Sequence, residues 1–217
     1  MTESQYRRAV ILAGGSLGPW SLAHIRPDDY LIGADRGAAF LVEHGYTPNL
    51  ALGDFDSVDE AELAAVRSRA EHFRGYDAVD KDWTDTELAL REALDRGYRD
   101  IVVLGGLGTR FDHSLANVHL LAVALEEGAT ARLVDAHNEI RLLADRCRLE
   151  ADERYPYVSL LPLTLEVTGV TLTGFAYPLT DATLKLGMTL GISNRLSAAS
   201  GDVEISSGRL LVIRSRD

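Results

Sequence analysis

One cysteine, Cys147, in 217 residues rules out an internal disulfide framework and any zinc site built on several thiolates. No apolar run approaches the roughly 18 residues needed to span a bilayer. The polar stretch from Met1 to Arg8 leads straight into a strand-like run, unlike a secretory leader. A cytoplasmic protein with no membrane partner is therefore expected. Basic residues are scarce: 22 Lys and Arg against 33 Asp and Glu leave a formal net charge of −11. A nucleic-acid surface needs basic patches, so no nucleic-acid partner is expected. A nucleotide remains compatible, because polyphosphate held through a divalent cation requires carboxylates, and the cation inverts the local charge logic. What is present is ordinary for a globular chain: 46% hydrophobic and 25% charged residues, enough for one large domain or two small ones.

The first two thirds alternate strand-like and helix-like segments. Apolar runs Ala9-Val10-Ile11-Leu12-Ala13, Tyr30-Leu31-Ile32-Gly33-Ala34, Asn49-Leu50-Ala51-Leu52, Ile101-Val102-Val103-Leu104 and Ala131-Arg132-Leu133-Val134 read as strands. Helical patterns cover about 37–44, 59–69, 85–96 and 113–126, with a short run at His72-Phe73-Arg74. That alternation predicts crossover units and a mainly parallel sheet over residues 1–139. After it the rhythm changes. Segments 140–149, 155–163, 165–173, 183–190, 202–206 and 209–214 are rich in Val, Thr and Leu and are separated by turn residues. Residues 140–217 are expected to form an all-β sandwich, with Thr168-Gly169 and Thr173-Gly174 as turns and Ser207-Gly208 as a tight hairpin. The fold class is thus α/β with a C-terminal β domain.

The polar residues fall at informative places. Asp35, the Asp54/Asp56 pair, Gly105-Gly106 and Asp135 all follow the carboxyl ends of expected parallel strands, the edge at which open α/β sheets bind ligands. An Asp there can equally cap the next helix, but one helix start does not need the two carboxylates of Gly53-Asp54-Phe55-Asp56-Ser57. A second group runs from Asp80 through Lys81, Asp82, Trp83, Thr84, Asp85 and Thr86 to Glu87. Thr84 and Glu87 form a capping-box pattern that starts a helix at Asp85. Capping leaves the preceding Asp80, Lys81 and Asp82 unexplained, and a lysine among carboxylates fits phosphate beside Mg²⁺ ligands. The third group is Gly105-Gly106-Leu107-Gly108-Thr109-Arg110-Phe111-Asp112-His113. Its glycines let backbone amides approach a phosphate, and Arg110 offers a bidentate fork. It matches neither the Walker A loop nor the dinucleotide fingerprint. His113 and His119 read as helix-surface or packed residues.

Taken together, the segments Gly33-Ala34-Asp35-Arg36-Gly37-Ala38, 53–57, 80–90 and 105–117, with Tyr177-Pro178-Leu179 and Gly191-Ile192-Ser193-Asn194, resemble the thiamine pyrophosphokinase family in order and spacing across nearly the whole chain. The resemblance implies a Rossmann-like N-terminal domain, a C-terminal β sandwich and a homodimer that moves the terminal diphosphate of ATP to the hydroxyethyl oxygen of thiamine, giving thiamine diphosphate and AMP. It implies Asp54, Asp56 and Asp85 as Mg²⁺ ligands and as catalytic residues together with Arg110. Lys81, Asp82, Gly105, Gly106, Arg110 and Asp112 would line the ATP site. Ser193 and Asn194 would contact thiamine, and Asp35 would help close the crevice. Arg195 departs from the family, many members of which carry an acid there.

Two other readings are open to the residues alone. Asp54-Phe55-Asp56-Ser57-Val58 also fits the loose nucleophile motif of haloacid-dehalogenase-like phosphatases, although that motif normally follows a first strand. A nucleotide-sensing module without turnover is the non-enzymatic alternative.

Overall fold

The computed structural model describes residues 8–76 and 83–217. The chain divides into two compact units, one ending at Ala136 and the other running from His137 to Asp217.

The first unit is an α/β layer structure. Its strands are β1 (Arg8–Leu12), β2 (Asp29–Ala34), β3 (Leu50–Gly53), β4 (Phe73–Gly75), β5 (Asp100–Leu104) and β6 (Thr130–Val134). They pair in parallel in the order β4-β3-β2-β1-β5-β6. Between them come α1 (Pro19–Leu22), α2 (Arg36–Glu43), α3 (Glu60–Arg69), α4 (Asp85–Asp95) and α5 (Phe111–Glu126). The near-continuous apolar β1, buried along its whole length, is the composition a central parallel strand covered on both faces requires. Chain order runs outward from β1 to β4 on one side and resumes with β5 on the other. The order therefore reverses between β1 and β5, which is where α/β sheets open a ligand crevice.

At the opposite, amino edge, Arg8 and Asp29 start β1 and β2 side by side. The Arg8 guanidinium donates to both oxygens of Asp29 at 2.8 and 2.6 Å and to the His24 carbonyl at 2.7 Å. Both side chains are buried. A buried charge pair persists only when its hydrogen-bonding groups are satisfied, and the Arg26 amide completes the set on Asp29.

The helices form for differing reasons. α4 buries Leu88, Ala89, Leu90, Ala93 and Leu94 on one face. The largely polar α3 buries only Val66 and begins with a full capping box between Asp59 and Glu62. At α4, by contrast, Thr84 accepts from the Glu87 amide, while the Glu87 carboxylate turns to Arg91 one helical turn on. The expected capping box at 84–87 is thus half made.

The second unit is a β sandwich. Strands β7 (Asn138–Leu143), β9 (Tyr157–Pro162) and β13 (Leu210–Ser215) pair antiparallel with β13 in the middle. The other sheet has the order β11-β10-β12-β8, built from β8 (Arg146–Glu150), β10 (Glu166–Thr173), β11 (Ala182–Lys185) and β12 (Ser200–Glu204). Leu149, Leu160, Val167, Val203 and Val212, drawn from both sheets, share one buried core.

Three local expectations are corrected. The single strand expected over 140–149 is two, β7 and β8, which separate at Ala144-Asp145 and join different sheets. Ser207-Gly208 links β12 to β13 across sheets and is not a hairpin turn. Thr168-Gly169 lies within β10 at a register shift against β11, so it is a bulge and not a turn.

Candidate active site

An open cleft of about 770 Å³ lies at the carboxyl ends of the parallel strands. After β1 come Ala13, Gly14 and Gly15. After β5 come Gly105, Gly106 and Gly108. These two loops are in direct backbone contact: the Gly15 amide donates to the Gly105 carbonyl at 3.0 Å, and the Ala13 amide to the Leu104 carbonyl at 2.8 Å. A Cβ on Gly15 would stand 2.3 Å from the Gly105 oxygen, and Gly105 has φ 69°. Neither position has room for a side chain, so a ligand here meets bare peptide groups.

The glycine loop after β5 is braced from α5. Asn117, buried, donates from Nδ2 to the Gly106 carbonyl at 2.7 Å. The Ser114 hydroxyl accepts from the Gly108 amide at 3.0 Å and is also within bonding distance of the Arg110 carbonyl. Both side chains line the cleft. Neither residue has a role in the sequence pattern alone; the signal for both is a Ser and an Asn one turn apart just after the glycines.

Asp35, Asp54 and Asp56 come together after β2 and β3, with one oxygen from each lying within 4.8 Å of the others. Asp35 stands at the N-cap position of α2 yet makes no regular side-chain capping bond, although the Arg36 amide acts on its carboxyl. Its backbone takes φ 51° and ψ −120°. Oδ2 accepts the Ser57 hydroxyl, while Oδ1 is buried with no hydrogen-bond partner among the described residues. Burial pushes the Asp35 carboxyl above its ordinary range; the Ser57 bond opposes this, and the charges of Asp85 and Asp54 add to it. Asp54 Oδ1 accepts the Asp56 amide at 3.3 Å, closing the 54–56 turn.

Across the cleft, Asp85 opens α4 beside Thr84, and Trp83 stands half-exposed with the Arg91 guanidinium 4.7 Å over its ring. Lys81 and Asp82, expected on the phosphate side, lie outside the described residues. Arg110 lines the cleft and donates from Nε and Nη2 to Asp112 at 3.3 and 2.7 Å. That pairing, together with the His113 amide, holds Asp112 at about 2, well below the usual carboxylate range. Asp135, although it follows β6, is not among the cleft-lining residues, because β6 is two strands removed from the β1 edge of the crevice.

In the β unit, Asn194 is buried and largely committed. Its Oδ1 accepts from the Tyr177 and Arg195 amides at 3.1 and 2.8 Å, and its Nδ2 donates to the Tyr177 carbonyl at 2.7 Å. It fastens the Tyr177 segment and leaves one N–H without a bond among the described residues. Ser193 is exposed at φ 58°, and its amide donates to Ser159; among the described residues its hydroxyl has no such anchor.

Comparison with known proteins decides the family. Residues 23–133 match "Thiamin pyrophosphokinase, catalytic domain" and residues 146–212 match "Thiamin pyrophosphokinase, vitamin B1 binding domain". The chain is 37% identical over 210 residues to the thiamine pyrophosphokinase of Bacillus subtilis, covering 95% of this chain and 98% of that one. The chain belongs to the thiamin pyrophosphokinase family. A crystal structure of the Bacillus subtilis thiamine pyrophosphokinase superposes with a TM-score of 0.90 at 35% identity, over 97% of this chain and 99% of that one. The thiamin pyrophosphokinase of Geobacillus thermodenitrificans gives 0.86 at 35% identity, over 97% and 98%. Membership of this family sets aside the phosphatase reading of residues 54–58, which here follow the third strand and not the first.

Proposed function

We propose that this chain makes thiamine diphosphate by transferring the terminal diphosphate of ATP to the hydroxyethyl oxygen of thiamine, with AMP as the leaving product. Family membership supports the product. The observation that carries ATP as donor is the meeting, in one cleft, of a carboxylate cluster, an unobstructed glycine edge and an arginine.

Mg²⁺ fits the donor set. Oxygens of Asp35, Asp54 and Asp56 already lie close together, one of them buried and unpartnered among the described residues, and Mg²⁺ prefers a few carboxylates completed by phosphate oxygens and water. On this reading Asp54 and Asp56, with Asp85 of the same cleft, would hold the cation beside the nucleotide's phosphates. When bound, the cation supplies charge neutralisation for the phosphate oxygens. The protein groups do the rest. The Gly105-Gly106 edge presents peptide groups to the nucleotide's phosphates, and the family resemblance assigns Lys81 and Asp82 to the same ligand. The Arg110 fork exchanges Asp112 for phosphate oxygens and stabilises charge on the transferred group. The thiamine oxygen attacks the β-phosphorus, the bond to the α–β bridging oxygen breaks, and a clustered aspartate accepts the hydroxyl proton. Positioning and electrostatics account for such a transfer without a covalent intermediate.

Ser193 and Asn194 contact thiamine in a homodimer, against the nucleotide-binding unit of a second copy. Large exposed apolar side chains on the β unit, among them Leu165, Tyr177, Leu186 and Leu190, support burial by a partner. Among the described residues no helix is long and apolar enough to cross a membrane. A cytoplasmic location is a separate part of the proposal.

The test is incubation with ATP, thiamine and Mg²⁺, with AMP and thiamine diphosphate resolved by chromatography. Equimolar appearance of both is the expected result. Orthophosphate release independent of thiamine, or transfer undiminished in Asp56→Asn, would overturn it. Light scattering at twice the 23.7 kDa chain mass tests the dimer.

A further inference from the structure

Among the described residues that line the cleft, Trp83 is the only large apolar side chain; the rest are glycines, one alanine and polar or charged groups. It stands immediately before Thr84, the N-cap of α4. An apolar residue there often staples a helix by packing onto its first turn, but stapling does not call for an indole left 47% exposed. The ring is also held in place. The Arg91 guanidinium lies 4.7 Å from its centroid, inside cation–π range. Arg91 is fixed in turn by Glu87, whose Oε1 accepts from Nε at 2.9 Å and from Nη2 at 2.8 Å. The glutamate that the capping pattern assigns to the Thr84 amide thus serves Arg91, so the helix forgoes a cap bond and the indole gains a backing.

We propose that Trp83 is the platform on which the base of the donor nucleotide stacks, and that Arg91 and Glu87 are the residues that position it. This inference rests on the ATP reading above and adds the base to a site so far built from contacts to phosphate. Every nucleobase offers a π face, and stacking on an aromatic side chain is a standard way of holding one. With Arg91 against one face of the indole, the other face and the edges are left to the cleft. The cationic thiazolium of thiamine is a poorer occupant, because Arg91 already engages the ring's attraction for cations and would stand as a like charge behind it. A neutral purine meets no such opposition. The glycine edge and the carboxylates line the same cleft, so base and phosphates of one ligand share it.

The experiment uses the purified full-length chain in Mg²⁺ buffer with two probes. One is α,β-methylene ATP, which keeps the base and cannot be cleaved between the α- and β-phosphorus. The other is inorganic tripolyphosphate, which has the phosphates alone. Calorimetry compares wild type, Trp83→Leu, Trp83→Phe and Arg91→Ala. Trp83→Leu should weaken the ATP analogue by about five- to 150-fold, while tripolyphosphate stays within about twofold of wild type. Trp83→Phe, which keeps a ring, should recover most of that loss. Arg91→Ala should show part of it, again with tripolyphosphate unmoved. The chain has two tryptophans, so Trp20→Phe leaves Trp83 as the only emitter, and the analogue should quench it where tripolyphosphate does not. If Trp83→Leu does not fold, this emission decides. Unchanged analogue affinity in Trp83→Leu would overturn the assignment. Equal loss of both probes would overturn it too, since that marks a disturbed start of α4 and not a missing platform. Quenching by thiamine and not by the analogue would give the ring to the acceptor instead. If wild type binds neither probe, the ATP reading itself fails; if tripolyphosphate binds and only the effect of the base is missing, this inference fails alone.

Discussion

Replacing Gly15 by alanine tests whether the crevice depends on bare backbone at the point where strand order reverses. The added methyl would lie 2.3 Å from the Gly105 carbonyl oxygen and 3.3 Å from that of Leu107. Ordinary contact begins near 3.4 Å, so the loop after β1 and the glycine loop after β5 must separate by about 1 Å. Gly15 is not among the residues with positive φ, so alanine carries no backbone penalty and the whole effect is crowding. A displacement of about 1 Å in a positioning element costs on the order of 100-fold in rate, equivalent to about 2.7 kcal/mol of barrier. Overpacking adds about 1–3 kcal/mol of lost stability, or roughly 2–12 °C in Tm for a chain of this size. Steady-state formation of AMP and thiamine diphosphate measures the first quantity, and a thermal melt the second. Gly108→Ala is the internal comparison, because its methyl would find nothing closer than 3.8 Å, and it should lose far less activity. A Gly15→Ala enzyme with kcat within about threefold of wild type would refute the premise that close packing of these loops sets the phosphate site.

Other consequences can be measured separately. Asp29→Ala leaves the buried Arg8 guanidinium without its partner and should cost about 3–5 kcal/mol in urea denaturation, while kcat of the folded fraction is retained, since the pair sits at the edge away from the cleft. Asp152 is held below its ordinary range chiefly by hydrogen bonding from Arg154. A depressed acid contributes stability above its unfolded pKa and loses it as pH falls through the lower folded value. Asp152→Asn should therefore be less stable than wild type at pH 7, by under about 1 kcal/mol because Arg154 is largely exposed, and the gap should close on acidification below about pH 4; a gap unchanged at pH 3 would refute this. Burial pushes the Cys147 thiol up, so iodoacetamide at pH 8 should label the native protein slowly and the urea-unfolded protein quickly.

Much of the first unit was legible because its signals are local. Apolar runs such as that of β1, followed at once by Gly or Asp, mark both a parallel strand and its ligand-facing end. What escaped depends on distant pairings. Nothing at Ala144-Asp145 says that the strands on either side join different sheets, since the turn lacks Gly and Pro. Ser207-Gly208 has hairpin chemistry, but whether its strands pair is decided by β7, β9 and β10. At the site, Asp35 could be placed at the sheet edge but not weighed against a helix cap, because a positive φ on an aspartate leaves no mark in the sequence. Asn194 could be associated with the family's motif, yet its commitment to Tyr177 comes from a contact seventeen residues away. The Lys81 and Asp82 expectations lie outside the described residues.

The pairing of Arg110 with Asp112 has a bearing on ionic strength. Both side chains are largely exposed, and the guanidinium fork is filled by the Asp112 carboxylate. On the proposed reading, a phosphate does not recruit a solvated cation but replaces one anionic partner with another. Added salt weakens the outgoing pair and the incoming one alike. Nucleotide affinity should therefore fall less steeply with salt through Arg110 than a free surface arginine would allow. In Asp112→Asn, where the fork waits in water, that slope should steepen.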